Sequence, residues 1–294
     1  FPLVTVLEVI QRSTEFLSRK GVDSPRLQAE LLLAHVLRLQ RMRLYLSFDR
    51  ELTPAEQDAY RELVRRRGQR EPLQHLVGSV CFCGLELAVN RQVLIPRPET
   101  ELLAEAGWEL LNRRAAAGAG SLRVLDWGTG SGCLAIAVAV HCPQAEITAL
   151  DASSAALEVA AANVARHGLT PRVRLIQSDG FSSLGPAEKF DLILSNPPYI
   201  PTAEIAALQP EVRDFDPRCA LDGGADGLDC YRRIAREACG HLRPGGQVAL
   251  EFGDGQAEAV RRLLEEQKWI VEAVREDYTH RPRILIASQT LANG

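Results

Sequence analysis

From Leu122 onward, short apolar runs alternate with longer amphipathic stretches, and few architectures accommodate that rhythm. Strands are predicted at 122–127, 146–151, 172–177, 190–195, 246–252, 269–276 and 282–289. Helices fall between the first five, with another near 255–268. Asp277 to Arg281 is too short to hold a crossover helix, so the last two strands should pair antiparallel. The pattern predicts an α/β domain on a seven-stranded, mostly parallel, doubly wound sheet with one reversed strand.

In such a sheet, ligands bind at the carboxyl ends of the strands. The fourth run, Phe190-Asp191-Leu192-Ile193-Leu194-Ser195, leads directly into Asn196-Pro197-Pro198-Tyr199. Neither proline has an N–H and each fixes its own φ, so the ladder stops and the chain stiffens there. An amide, a carbonyl at Pro197 and an aromatic ring are presented together. By itself this is a strand-ending turn or a polar clamp, and the neighbouring strand ends must decide between them.

The first strand ends Val124-Leu125-Asp126-Trp127 and runs into Gly128-Thr129-Gly130-Ser131-Gly132. That spacing does not fit G-x-G-x-x-G, and the lysine of a P-loop is missing. Close backbone approach to a ligand without pyrophosphate fits better, and methionine or ribose would satisfy it. The second strand ends at Asp151, whose carboxylate is placed to accept from two ribose hydroxyls. The third ends at Asp179-Gly180-Phe181, where the acid can take an adenine amino group and the ring can pack nearby. Each feature alone has a bland reading as a turn, a cap or a loop acid. Together, on successive strand ends, they describe a nucleoside cofactor site beside the Asn196 clamp.

The chain ahead of this domain differs in kind. Residues 1–72 read as helical, a small all-α N-terminal bundle with Ser24-Pro25 and Thr53-Pro54-Ala55-Glu56 as helix starts. Arg61, Arg65, Arg66, Arg67 and Arg70 form a basic face, read as a solvated helix surface or as contact with RNA or an acidic partner. Residues 73–96 alternate like short strands at 76–80, 81–87 and 93–95, a β-hairpin linker. Pro98 then opens a helix to about Arg113, and 97–294 forms the third region. The loop 200–227 is long enough to imply a function.

Composition narrows the classes. No apolar stretch reaches the ~18 residues that span a bilayer, and no basic n-region marks a targeting segment. A net charge of −4 argues against stable, non-specific nucleic-acid binding. The seven cysteines have no framework spacing, which fits a reducing compartment. Cys81 and Cys83 would share a strand face, but no further Cys/His pair completes a metal site, so no metal is expected.

The glycine loop, Asp151, Asp179 and Asn196-Pro197-Pro198-Tyr199 resemble the Rossmann-like S-adenosylmethionine-dependent methyltransferases over about 97–289, specifically those that modify planar nitrogens. A closer resemblance rests on three longer segments. Ile95-Pro96-Arg97-Pro98-Glu99-Thr100-Glu101, Asn196 to Ile200, and Asp216 to Leu228 are similar to the release factor glutamine methyltransferases, the HemK or PrmC family. The helical bundle and hairpin linker resemble that family too. The resemblance implies S-adenosyl-L-methionine as cofactor and N5 of the glutamine in the Gly-Gly-Gln tripeptide of class I peptide chain release factors as methyl acceptor. It implies that Asn196, Pro197 and Tyr199 act in catalysis, with Pro198 completing the substrate contact. Gly128, Thr129, Gly130, Ser131, Gly132, Asp151, Asp179, Gly180, Phe181 and Asn196 would bind the cofactor. The bundle and the 200–227 loop would engage the release factor. A monomer in the bacterial cytoplasm is expected, with the mitochondrial matrix as the second choice. Gly180 departs from the family pattern, which often has an aromatic residue there, and Trp127 is unusual in the loop.

The chemistry is consistent with that expectation. An amide nitrogen is a weak nucleophile, so acceptors at its two N–H groups would fix its orientation. The Asn196 oxygen and Pro197 carbonyl are the acceptors, and Tyr199 can stack on the planar group for roughly 0.5–2 kcal/mol. Positioning supplies most of the rate, ~7–11 kcal/mol in favourable cases. The rivals are an adenine-N6 or other amino-methyltransferase acting on DNA or RNA, and a cofactor-binding scaffold with a dead site. The acidic balance opposes the first, and an intact Asn196 and glycine loop oppose the second.

Overall fold

The computed structural model describes residues 4–289. The chain forms two compact units, Phe1–Ser79 with Gln209–Phe215, and Val80–Leu208 with Asp216–Gly294.

The first unit is helical, with helices Val6–Arg19, Pro25–Leu37, Arg41–Leu44, Pro54–Gly68 and Leu73–Val77. Thr5 with Glu8 and Thr53 with Glu56 both close reciprocal capping boxes, which satisfy two otherwise orphaned N–H groups each. Ser24 precedes its helix with φ 46° and makes no side-chain cap, so Pro25 alone sets that start. Ile10, Leu17, Leu32, Leu33, Leu44 and Leu52 are fully buried in its core.

The expected basic face is not a bare cationic surface. Arg61 pairs with Asp58 and Arg65 with Glu62, while Arg66 pairs with Glu71. Arg67, only 4% exposed, and Arg70 both donate to Glu211 at 2.7–2.8 Å. Glu211 comes from the 200–227 connection, and its acid partner role was invisible in local sequence. Burial pushes its carboxyl up, but the Arg70 and Arg67 hydrogen bonds outweigh that and hold it below the ordinary value.

The linker between bundle and sheet differs from expectation at both ends. Residues 73–77 form a helix closed by Gly78 at φ 78°, where a strand was expected at 76–80. Residues 93–95 form no strand. What remains is a hairpin of β1 (Ser79–Phe82) and β2 (Leu85–Ala88), turned at Cys83 and Gly84 with φ 49° and 75°. Cys83 therefore lies in the turn and does not share a strand face with Cys81. Among the described residues, no cluster of His, Cys, Asp and Glu could hold a metal ion. Phe82 and Leu87 sink into the core beside the helix Pro98–Ala116.

The sheet comprises β3 (Leu122–Trp127), β4 (Ala145–Asp151), β5 (Val173–Gln177), β6 (Phe190–Ser195), β7 (Leu242–Glu251), β8 (Trp269–Glu276) and β9 (Pro282–Gln289). Their order is β5-β4-β3-β6-β7-β9-β8. Neighbours from β5 to β7 run parallel, and β9 is antiparallel to both β7 and β8. One reversed strand in seven is the predicted topology. All six residues of β6 are buried, as a strand covered on both faces requires. Chain order reverses between β3 and β6, and that switch point is where a crevice opens. No helix among the described residues is long and apolar enough to cross a membrane.

Candidate active site

A cavity of about 270 Å³ lies at the carboxyl ends of β3, β4, β5 and β6. Gly128 to Ser131, Asp151, Asp179, Gly180, Asn196 and Pro198 all line it. Sequence motifs far apart in the chain thus converge on one hollow.

The glycine loop is held from below. Gly128 and Thr129 N–H groups donate to the Leu150 carbonyl at 2.9 and 2.8 Å. Gly130, at φ 55°, has open space where a Cβ would stand, so its backbone can come close to a ligand. Its N–H donates to Asp151 Oδ2 at 2.8 Å, and Ser153 N–H donates to Oδ1 at 2.9 Å. Gly132 lies outside the lining and caps the helix Cys133–His141.

Asp126, to which the sequence reading gave no role, organises the loop. Its Oδ2 accepts from Thr129 Oγ1 at 2.6 Å and from Ala135 N–H at 3.1 Å. Burial pushes its carboxyl up to about 7, against the pull of those two bonds and with the Asp151 charge adding to the rise. An acid at the last-but-one position of the strand before a glycine loop was the signal available. Asp126 Oδ1, Trp127 Nε1 and Ser131 Oγ are buried and have no hydrogen-bond partner. Orphaned polar atoms at the mouth of a glycine loop suit a ligand that carries both donors and acceptors. The residues present therefore fit the amino-acid and ribose parts of S-adenosylmethionine.

Asp179 is exposed and paired with Arg233 at 2.6 Å. Gly180 has φ 60°, and a Cβ there would stand 2.4 Å from the Arg233 side chain. A side chain at 180 would be strained at that φ and would displace the guanidinium. Phe181 corrects the sequence reading. It is 4% exposed, stacks on His241 at 5.2 Å and does not line the cavity. Its ring packs in the core with Trp127 and His241.

Asn196 faces the cavity directly after β6. Its Nδ2 donates to Thr100 Oγ1 at 3.0 Å, and Ser195 Oγ just before it donates to the Trp127 carbonyl at 2.7 Å. The clamp strand is thereby tied to the glycine-loop strand. Pro197 is buried and outside the lining. Tyr199 is a second correction, because its ring does not line the cavity. It packs against the core below, 2.9 Å from where a Gly253 Cβ would be, and burial with the Glu251 charge pushes its phenol up to about 12.

The 216–228 segment buttresses this turn. Ile200 bridges Asp222, its N–H donating to the Leu221 carbonyl at 3.0 Å and its carbonyl accepting from the Gly223 N–H at 2.9 Å. A Cβ at Gly227 would fall 2.3 Å from the Tyr199 carbonyl, and one at Gly223 2.8 Å from that of Pro198. Only glycine permits that approach. Arg97, at the cavity wall, donates to the buried Asp216 at 2.6 Å. Burial pushes Asp216 up to about 6, opposed by Arg97. Among the described residues, no histidine, lysine or glutamate lines the cavity.

A switch-point cavity with this loop, acid and clamp defines a Rossmann-like S-adenosylmethionine-dependent methyltransferase. The PrmC N-terminal domain family matches residues 8–78, and the Methyltransferase small domain family matches residues 105–209. The release factor glutamine methyltransferase of Geobacter sulfurreducens is 48% identical, over 87% of this chain and 87% of its own. That of Chlorobaculum tepidum is 46% identical, over 88% of this chain and 89% of its own. The chain belongs to the release factor glutamine methyltransferase family. In fold alone it is similar to a Thermus thermophilus 16S rRNA N2 methyltransferase solved with AdoMet and guanosine. There the TM-score is 0.51 at 23% identity, covering 72% of this chain and 50% of that one.

Proposed function

We propose that this enzyme transfers the methyl group of S-adenosyl-L-methionine to the side-chain nitrogen N5 of a glutamine. The acceptor is the Gly-Gly-Gln glutamine of class I peptide chain release factors, so the reaction serves translation termination. The observation that carries the reading is Asn196, whose Nδ2 is satisfied by Thr100 while the residue lines the same cavity as the glycine loop. Its Oδ1 is then the atom offered to an amide N–H. Curated relatives named release factor glutamine methyltransferase support the acceptor.

When bound, the cofactor supplies an electrophilic sulfonium methyl group. Gly128 to Ser131 accommodate its amino-acid end by close backbone approach, Asp151 accepts from the ribose hydroxyls, and Asp179 with Gly180 borders the adenine. Asn196 Oδ1 and the Pro197 carbonyl hold the two amide N–H groups of the acceptor, so the nitrogen lone pair is aimed and not free to rotate. Tyr199 and Pro198 stiffen that turn. No general base is needed before transfer, because the proton leaves more readily once the nitrogen is alkylated. The helical region and the 200–227 segment engage the folded release factor, in a bacterial cytoplasm, with the enzyme as a monomer.

The test is incubation with labelled S-adenosylmethionine and, separately, a class I release factor, DNA and RNA. Label on the release factor supports the reading, and label on nucleic acid alone rejects it.

A further inference from the structure

An asparagine side chain is a useful acceptor only in one of its two flip states. Turned over, Asn196 would point N–H groups at an acceptor amide that itself carries N–H groups. Something must therefore hold the flip. Thr100 Oγ1 lies 3.0 Å from Asn196 Nδ2, but a hydroxyl alone does not decide the matter, since it donates and accepts equally well.

The decision comes from Glu251. Ser195 and Leu250 are paired across β6 and β7, so Asn196 and Glu251 leave the sheet side by side. Thr100 is 2% exposed and Glu251 1%, and the Glu251 carboxylate is hydrogen-bonded by the Thr100 side chain. Ionised, as it is above about pH 7, the carboxylate only accepts, so it takes the hydroxyl proton. The Thr100 oxygen is then left to accept from Asn196 Nδ2, and Asn196 Oδ1 is turned toward the cavity. Glu251 does not line the cavity, and its Oε2 has no partner. A buried acid with half of its carboxylate unsatisfied costs stability that packing does not return. Such a residue at a strand end beside a site points to a functional demand.

We infer that Thr100 and Glu251 are positioning residues that lock the Asn196 amide with its oxygen toward the methyl acceptor. This rests on the glutamine reading above for the identity of the acceptor, but not for the lock itself. Polarity runs in one direction, from carboxylate to hydroxyl to amide to substrate. Every member but the last is supplied by this chain.

The test compares full-length wild type with Thr100→Val, Thr100→Ser and Glu251→Gln. Valine keeps the volume and deletes the hydroxyl, and serine restores it. With a class I release factor as acceptor, Thr100→Val should lower kcat about tenfold or more while the Kd for S-adenosylmethionine stays within about twofold. Thr100→Ser should return kcat to within a few-fold of wild type, and Glu251→Gln should fall between the two. Full activity in Thr100→Val overturns the inference. So does a loss that includes cofactor binding and that serine does not rescue. A second readout needs no acceptor: by NMR, the Asn196 side-chain amide proton bound to Thr100 should exchange slowly in wild type and Thr100→Ser and fast in Thr100→Val. Equal exchange in all three overturns the lock whatever the substrate. The expected pattern in a wild type that leaves release factor unmodified would instead uphold the lock and condemn the glutamine reading.

Discussion

The Gly130 N–H donates to Asp151 Oδ2 at 2.8 Å, which joins the glycine loop to the end of the neighbouring strand. One carboxylate thus has two tasks, fixing the loop and presenting acceptors to the cavity. Asp151→Ala should weaken S-adenosylmethionine by roughly ten- to a hundredfold, the scale of charged hydrogen bonds lost at a site. Calorimetric titration checks this, and unchanged affinity would contradict the ribose assignment.

Asn196→Ala should behave oppositely. It removes an acceptor from the methyl-transfer geometry but nothing that holds the glycine loop, so cofactor affinity should persist while turnover falls roughly a hundredfold or more. Measuring cofactor binding and kcat on the same preparation separates the two effects.

Glu211→Ala should destabilise the helical unit. Arg67 is nearly fully buried and would retain only the Gln28 oxygen and the Glu71 carbonyl. A buried cation stripped of its partner costs roughly 3 kcal/mol. Because the folded Glu211 carboxyl lies below its ordinary value of 4.5, the stabilisation is present above that pH. It is lost as pH falls further, so the mutant and wild-type unfolding curves should converge in acid.

Glu251→Gln should show the reverse pH dependence. Its carboxyl titrates near 7 in the folded chain against 4.5 ordinarily, chiefly because it is buried. A raised carboxylate binds its proton more tightly when folded, so stability falls as pH rises from about 4.5 to about 7. Glutamine cannot ionise, so the variant should gain stability relative to wild type at pH 8 and little at pH 4. Thermal unfolding at the two pH values reads the difference.

The sheet was legible because strands buried on both faces carry unbroken apolar runs. β3, β6, β8 and β9 fall at the predicted residues, and the reversed strand follows from the short 277–281 link. β7 begins earlier than expected, at Leu242, because Pro244-Gly245-Gly246 reads as a turn although the strand continues through it, with Gly245 at φ 73° and an irregular register against β6. The strand expected at 76–80 gives way to a helix at Leu76 and Val77, because a few alternating apolar residues fit one helical turn as well as a strand. At the site, the strand-end residues were visible and their orientation was not. Phe181 and Tyr199 turn into the core, which no local pattern encodes. Asn196 with Thr100 at the site, and Arg67 with Glu211 within the helical unit, join residues far apart in sequence and exist only after folding.

The account turns on which atom receives the methyl group. The deciding measurement is tandem mass spectrometry of a class I release factor after incubation with this enzyme and S-adenosylmethionine. The account predicts one added methyl on the side-chain nitrogen of the Gly-Gly-Gln glutamine, and none when Asn196 is alanine. A methyl group on any other residue, or an unmodified release factor beside methylated DNA or RNA, would contradict it.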